Sequence, residues 1–392
     1  MTERPIAPTH WLATADPDPF PAPDWLPDEA DAVVVGGGLA GVSAAYWLTR
    51  AGWRVLLAER RGLARGASGR NAGVFLAGLH PWENPALLRS VLEEERIEAG
   101  FRRTGHLSLA ASAEVFDRVR AEVARRPPGA SALVALDPAA CERILNRPVA
   151  SGFAGGRWAV DGHVVHPVRL VHGLAAAAHR RGCRVATHTR VRRVSRGGRR
   201  GWRVHTTRGP VDAAHVVYAC GAAAGRLRAV LGRVLTPTRG QVLATEPLPP
   251  LFEPAMAVDF GSVYWRQTTD GVIVLGGCRS ADPEGEIGTS AERLNPAIQR
   301  ALSTFLTTSF PGLPAYAIRR RWAGIMDSTP DGRPLVGRLP GPDGQWVIAG
   351  FGGHGLPPAQ GAARALAAAM SGRPDELLAG FDPARFGGLD DH

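Results

Sequence analysis

The 392-residue chain contains no lysine: all 46 basic residues are arginine, set against 36 acidic residues, for a formal net charge of +10. The arginines are spread along the chain, with short clusters at Arg192-Arg193, Arg199-Arg200 and Arg319-Arg320-Arg321. No basic tail and no basic patch interleaved with aromatics accompanies them. The charge therefore reads as compositional bias, alongside the many Ala, Gly and Pro residues, and a nucleic-acid partner is not expected. Cysteine is scarce. Cys141, Cys183, Cys220 and Cys278 are far apart, without CxxC or metal-type spacing, which speaks against structural disulfides and predicts a reducing, cytoplasmic setting. No run approaches the ~18 apolar residues that a membrane span requires. The proline- and tryptophan-rich beginning lacks the basic-then-apolar layout of a secretion signal. Internal repeats, low-complexity tracts, nucleophile-elbow and triad signatures, and His/Cys/Asp clusters are also missing, so no metal is expected.

What is present is an ordinary globular composition, 45% hydrophobic, in a chain longer than the ~250–300 residues that one core usually supports, so two domains are expected. The most informative segment is Ala32-Val-Val-Val-Gly-Gly-Gly-Leu-Ala-Gly41, with Glu59 eighteen residues beyond it. Val33, Val34 and Val35 read as a buried parallel strand, and Gly36, Gly38 and Gly41 turn the chain into a helix to about Arg50. Residues 55–58 form a second strand that ends on Glu59. A dinucleotide site needs these parts in this order: a tight turn, close backbone approach to a pyrophosphate, and close packing of helix on strand. The helix N-terminus favours the phosphates. Glu59 suits a ribose 2′-hydroxyl and disfavours the 2′-phosphate of NADP.

Residues 1 to about 30 read as an extended arm, with Pro17, Pro19, Pro21, Pro23 and Pro27 barring regular helix and Trp11, Phe20 and Trp25 docking it. Residues 61–73 are a glycine-rich loop. Helices are expected over 83–103, 113–126, 168–181 and 295–308, a hairpin over 156–165, and short strands from 184 to 218. An antiparallel sheet is expected from 242–245, 262–267 and 272–276. The order of pieces predicts an α/β chain: a Rossmann-like nucleotide domain from 31–75, 160–235 and 326–392. Residues 76–159 and 236–325 would build an inserted α+β, antiparallel-sheet substrate domain, with a small-molecule site between the two.

Five ordered motifs carry a family resemblance: the 31–41 strand and turn with Glu59, Gly66-Ala-Ser-Gly-Arg-Asn-Ala-Gly73, His166-Pro-Val-Arg-Leu170, the stretch Arg321 to Gly337, and Gly350-Phe-Gly-Gly-His-Gly355. Together they resemble the FAD-dependent oxidoreductases of the D-amino-acid oxidase, glycine oxidase and sarcosine oxidase type. The arm and Ser-Gly-Arg-Asn most resemble the amine-oxidising branch that includes γ-glutamylputrescine oxidase. The resemblance implies an FAD held by Gly36, Gly38, Leu39, Ala40 and Gly41, with Glu59 on the ribose and Arg60, Ser68, Asn71 and Ile325 in the same set. Ala72 and Gly73 would lie along the flavin, Val191 near the adenine, and Cys220 and Gly221 near the adenosine half. Gly353, His354, Gly355 and Leu356 would approach the pyrimidine edge, where N–H groups at a helix N-terminus stabilise the charge of reduced flavin. His354 is either a catalytic participant or a turn residue. Tyr264 is the candidate for a pocket hydrogen bond, its alternative role being sheet packing. His80 and Trp82 would line the pocket entrance.

Departures matter as much. The cysteine that bonds the flavin in sarcosine oxidases is Gly324 here, the substrate-gripping arginine of glycine oxidases is Met326, and the lysine after Gly-His-Gly is Pro357. Arg266, Arg320 or Arg321 would have to replace the lost anchors, unless each is structural. The strand 272–275, which carries an oxygen-activating lysine in sarcosine oxidases, is wholly apolar. The resemblance thus implies hydride transfer from an amine or amino acid to flavin N5, giving an imine, with O2 as acceptor. The alternatives are a dehydrogenase serving a quinone or protein acceptor, or a flavin-binding electron-relay subunit.

Overall fold

In the computed structural model, which describes residues 8–75, 82–126 and 133–387, the strand Glu29–Val35 is the centre of a mostly parallel sheet. Val34 belongs to the hydrophobic cluster on one face and Val33 and Val35 to the cluster on the other. Burial on both faces is why this strand is an unbroken apolar run. Val55–Ala58 pairs with it on one side, followed by Arg184–Ala186, and Gly209–Tyr218 pairs with it on the other, all in parallel. Gln345–Ala349 runs parallel to the end of Gly209–Tyr218, while Val191–Arg196, Trp202–Thr206 and Leu335–Arg338 complete the sheet in antiparallel pairings. Helices Leu39–Arg50, Pro167–Arg180 and Ala359–Met370 cover one face. Pro167 sits at the start of its helix, where no N–H is needed, and His166 caps it by accepting from Arg169 N.

The second sheet has the order Ile318–Ser328, Thr236–Thr245, Ile273–Gly277, Val263–Gln267, Ala255–Val258, His106–Ala110, Gly155–Ala159, Leu133–Leu136. Its pairings are antiparallel except where Ala255–Val258 meets His106–Ala110, two segments far apart in the chain. Helix Pro296–Ser309 lays Ile298, Leu302 and Leu306 against this sheet, one helical face at four-residue spacing. The chain is thus the expected α/β fold, a Rossmann-like sheet joined to a mainly antiparallel one.

Three local expectations are corrected. The arm is not extended throughout: His10–Thr14 is a short helix, capped by Thr9, which accepts from Leu12 N, with the prolines outside it. Trp11 is buried and Phe20 packs edge-on against His179, but Trp25 stays exposed under the Arg184 guanidinium. The helix expected over 83–103 is only Pro85–Glu94, because Arg96 turns left-handed at φ 53° and Arg102–Arg103 is a strand. The expected hairpin over 156–165 does not form. Gly155–Ala159 joins the second sheet, whereas His163–Val164 joins a small third sheet with Val74–Phe75 and Arg102–Arg103. Between them Gly162 packs on the Gly105 backbone, where a Cβ would come within 2.5 Å, and the two strands diverge.

Candidate active site

One cavity of about 1120 Å³ runs between the two large sheets. At its first end the glycine turn is built from close approaches. Gly36 has φ +119°, and a Cβ there would lie 2.6 Å from Ala219 O. A Cβ on Gly41 would lie 1.9 Å from Gly36 O, so the helix can meet the strand only through glycine. Gly38 caps helix Leu39–Arg50 without any side-chain bond, leaving the N-terminus open to the cavity apart from Leu39 N, which donates to Ser68 Oγ at 2.8 Å. The Glu59 carboxylate is fixed by two backbone donors, Gly37 N and Arg61 N, each at 2.7 Å. This is the donor and acceptor set a dinucleotide needs: a bare helix N-terminus, glycine walls, and an oriented acid.

The loop after the second strand is held by its carbonyls. Thr9 Oγ1 donates to Gly69 O at 2.9 Å, Trp11 Nε1 to Asn71 O at 2.6 Å, Trp322 Nε1 to Arg70 O at 2.9 Å, and Arg266 Nη1 to Gly73 O at 3.0 Å. Asn71 braces the loop from within, accepting from Gly73 N at 2.8 Å and donating to Ser68 O at 2.9 Å. Gly73 is left-handed, and a Cβ there would meet Val165 O at 2.4 Å. The arm therefore presses directly on the loop that lines the cavity with Ser68, Asn71 and Ala72. Arg70 donates to Ala323 O at 2.6 Å and pairs with Glu292 at 3.0 Å. Its Cβ would stand 3.0 Å from any Cβ at Gly324, so arginine here occupies the room a side chain at 324 would use.

At the far end, Asp327 organises the turn after the last parallel strand. Its carboxylate accepts from Gly350 N and its carbonyl from Gly352 N at 2.8 Å. Burial pushes this carboxyl above its ordinary range, against the backbone bonds that hold it down. Gly350, Gly352 and Gly353 are all left-handed. Among the described residues no internal bond takes the N–H of Gly353, Gly355 or Leu356. Helix Ala359–Met370 begins only after Pro357 and Pro358, so these turn amides, and not the helix end itself, face the cavity. His354 lies in the turn, with Nδ1 3.2 Å from Gly352 O.

The second sheet closes the cavity with Tyr264, Ala257, His106 and Val242. Tyr264 lies over Gly276, its pairing partner, where a Cβ would come within 2.6 Å of the phenol. Its hydroxyl has no hydrogen-bond partner among the described residues, and burial pushes its pKa up. His106 is buried, with Nδ1 unpartnered; burial, then the nearby Arg157 charge, hold it neutral at about 3. Met326 fills the gap between Gly240 and Gly353. Phe260 forms a wall from a left-handed turn (φ 59°), backed by the guanidinium groups of Arg118 and Arg157 at 5.0 and 5.3 Å.

Nearly every residue singled out from the sequence borders this one cavity: Gly36, Gly38, Leu39, Ala40, Glu59, Arg60, Ser68, Asn71, Ala72, Val191, Cys220, Gly221, Ile325, Met326, Tyr264, and Gly353 through Leu356. Gly41 and Gly73 stand just behind it, shaping the walls. Two do not fit the expectation. Arg266 shares a strand face with Tyr264 but lies two residues further along, buried beneath the Trp11 ring at 4.8 Å, and does not reach the cavity. Burial, then the Arg102 charge, lower its pKa to about 9. Trp82 packs against Phe381, away from the cavity. His80 lies outside the described residues. Arg320 and Arg321 also serve structure, donating to Pro8 O and to Gln299 and Ser303. The contributions of Asp327, His106, Phe260 and the arm were not anticipated.

The glycine cradle, the fixed acid and the free turn amides fit FAD, and the family is shown directly. The chain belongs to the FAD-dependent oxidoreductase (DAO) family, whose match covers residues 31–369. It is 27% identical over 413 residues to the mitochondrial dimethylglycine dehydrogenase of Mus musculus, covering 96% of this chain and 46% of that protein. The chain thus spans about half the length of that relative. Among solved structures it resembles glycine oxidase from Geobacillus kaustophilus (TM-score 0.81, 23% identity, 93% of this chain and 100% of that one). It resembles L-proline dehydrogenase from P. horikoshii equally (TM-score 0.81, 22% identity, 94% and 100%). Among the described residues no helix is long and apolar enough to cross a membrane, and no three His, Cys, Asp or Glu side chains converge on a metal position.

Proposed function

We propose that this chain oxidises a C–N bond of an amine or amino acid, with electrons passing finally to O2. The observation that carries the reading is the continuity of one cavity from the glycine turn and Glu59 to Tyr264, Met326 and the 353–356 turn. FAD supplies the two-electron acceptor, at N5. Toward it, Glu59 would accept from the ribose and the amides of the helix N-terminus would hold the pyrophosphate, with Val191, Cys220 and Gly221 serving the adenosine end. The amides of Gly353, Gly355 and Leu356 stabilise negative charge at the pyrimidine edge. His354 serves this turn as a spacer. Tyr264 donates a hydrogen bond that orients the substrate, while Met326 and Phe260 exclude water. The amine binds neutral, so its C–H bond would release hydride without a strong protein base; the iminium ion left behind takes up water and breaks down to a carbonyl compound and an ammonium ion, free or substituted. In this reading residues 31–75, 160–235 and 326–392 act as the cofactor unit, and 76–159 with 236–325 as the substrate unit; the placement of the cavity between the two sheets supports that division.

Anaerobic titration with amines and amino acids, followed at about 450 nm where oxidised flavin absorbs, tests this. Bleaching by an amine and rapid recovery in air is the expected result; no bleaching by any amine overturns it. Slow recovery would support a second reading, a dehydrogenase with another acceptor. One observation favours that reading: residues 272–275 are apolar and buried, so no cation stands on that strand to assist oxygen.

A further inference from the structure

The segment 279–294, between strand Ile273–Gly277 and helix Pro296–Ser309, forms one wall of the cavity, lining it with Pro283, Gly285, Ile287, Ser290 and Glu292. Its base is tied to the second sheet by backbone. Arg239 N donates to Glu286 O at 2.9 Å and Gly288 N to Pro237 O at 2.8 Å, which fixes the segment along strand Thr236–Thr245. Side chains of that strand then hold its far part: Arg239 Nη1 donates to Ala291 O at 3.0 Å, and Gln241 Nε2 to Arg293 O at 3.1 Å. The carbonyls on either side of Glu292 are thus gripped from the second sheet. The Glu292 carboxylate reaches the other way, to the glycine-rich loop of residues 61–73. There Arg61 meets it with both terminal nitrogens, each at 3.3 Å, and Arg70 with Nη2 at 3.0 Å.

Both arginines are held on their own side. Arg70 donates to Ala323 O at 2.6 Å and to Arg65 O at 3.0 Å, and Arg61 donates to Arg65 O at 2.8 Å. Burial lowers the Arg70 pKa, the Glu292 charge opposes this, and the Arg61 and Arg65 charges add to the lowering. Guanidinium groups this close repel, so the joint holds while a carboxylate lies between them. Side-chain exposure is 10% at Arg70 and 26% at Glu292, close enough to water for the bridge to break and re-form. The glycine turn offers no such freedom, because Gly36 and Gly41 close it by backbone against backbone. Nor can Glu292 hold the cofactor itself. FAD carries an anionic pyrophosphate, which a carboxylate in the cavity wall repels.

We propose that residues 279–294 are a gate for FAD and that Glu292 is its latch. While the carboxylate bridges Arg61 and Arg70, the seam between the glycine-rich loop and the second sheet is closed over the cofactor. FAD enters and leaves when the bridge opens. Glu292 is a positioning residue, acting through the two arginines, and the assignment is independent of which amine the protein oxidises.

The test follows release of FAD from the loaded protein on dilution, by the rise in free-flavin fluorescence, in wild type, Glu292→Gln, Glu292→Asp and Arg61→Gln. Equilibrium titration gives Kd for each. Glu292→Gln should release FAD roughly tenfold faster while Kd changes by no more than about threefold, because entry quickens as well. Glu292→Asp should fall between the two. Arg61→Gln keeps the Arg70 pair, should show a smaller rise, and stands in if Glu292→Gln does not fold. Raising salt from about 0.05 to about 0.5 M should quicken release more in wild type than in Glu292→Gln. Release from Glu292→Gln at the wild-type rate or slower overturns the gate, slower release being what removal of a like charge alone would give. A Kd that weakens in step with the faster release also overturns it, since Glu292 would then support binding and not passage. So does flavin that stays with the acid-precipitated protein, because a covalently held cofactor has no such exit.

Discussion

The two ends of the cavity are built from different material. The nucleotide end is backbone: glycines whose Cβ atoms would strike carbonyl oxygens, open amides at a helix start, and an acid held by two N–H groups. The opposite end is side chain: His106, Tyr264, Arg279 and Met326 arrive from four separate strands or their ends. Backbone approach leaves no latitude, because any added atom must displace a strand or a helix. A chamber lined by side chains can change its chemistry one residue at a time while the sheet stays as it is. The absent cysteine at 324 and the absent arginine at 326 both fall at the second end, and there the neighbouring space is taken by Arg70 and by Met326 itself.

The contrast can be broken most severely at Gly41. Gly41→Val places a branched side chain where a Cβ already lies 1.9 Å from Gly36 O. It should yield colourless protein and cost at least about 3 kcal/mol of stability, read from flavin content and urea unfolding. Retention of flavin at wild-type affinity would end the distinction between the two ends. Next comes Glu286, between two cavity-lining residues. Its buried carboxylate takes Arg239, Asn295 and Gln241 and so pins residues 279–294 over the chamber. Burial pushes this carboxyl up, but the hydrogen bonds from Arg239, Asn295 and Gln241 outweigh it and leave the group at about 2, against an ordinary 4.5. The folded value is the lower one, so its contribution is complete above about pH 4.5 and is lost as pH falls toward 2. Glu286→Gln, which leaves Arg239 buried without its charge partner, should cost about 3 kcal/mol at neutral pH and flatten the acid limb of the stability profile, with flavin retained. An acid limb identical to wild type would contradict this. The smallest effect is expected at the joint between arm and loop. Trp11→Phe keeps an aromatic ring but deletes the bond to Asn71 O and part of the buried indole; a loss of at least about 1 kcal/mol and a fewfold weaker FAD affinity should follow, by thermal melting and flavin titration. Unchanged FAD affinity would show that the arm does not position the loop.

Legibility followed the same division. The strand, the three glycines and Glu59 could be recognised from local spacing, since each requirement concerns residues near one another in the chain. Tyr264 and Met326 border the cavity, and Arg266 does not. Alternation puts it on the face of Tyr264, and only the arm, folded over it from 255 residues earlier at Trp11, shows that this part of the strand is roofed. Helix ends failed where arginine turned left-handed at Arg96, a conformation that side-chain periodicity does not encode.

From its sequence alone this protein is determined to carry a Rossmann-like dinucleotide turn, because tight turns and buried strands impose local rules on glycine and valine that survive in any context; FAD in particular was implied by the resemblance of five ordered motifs. Only the tertiary structure decided which arginines are spent on structure and which border the cavity. Guanidinium groups are long and indifferent to local conformation, and their role depends on which carbonyl or carboxylate the fold brings within reach.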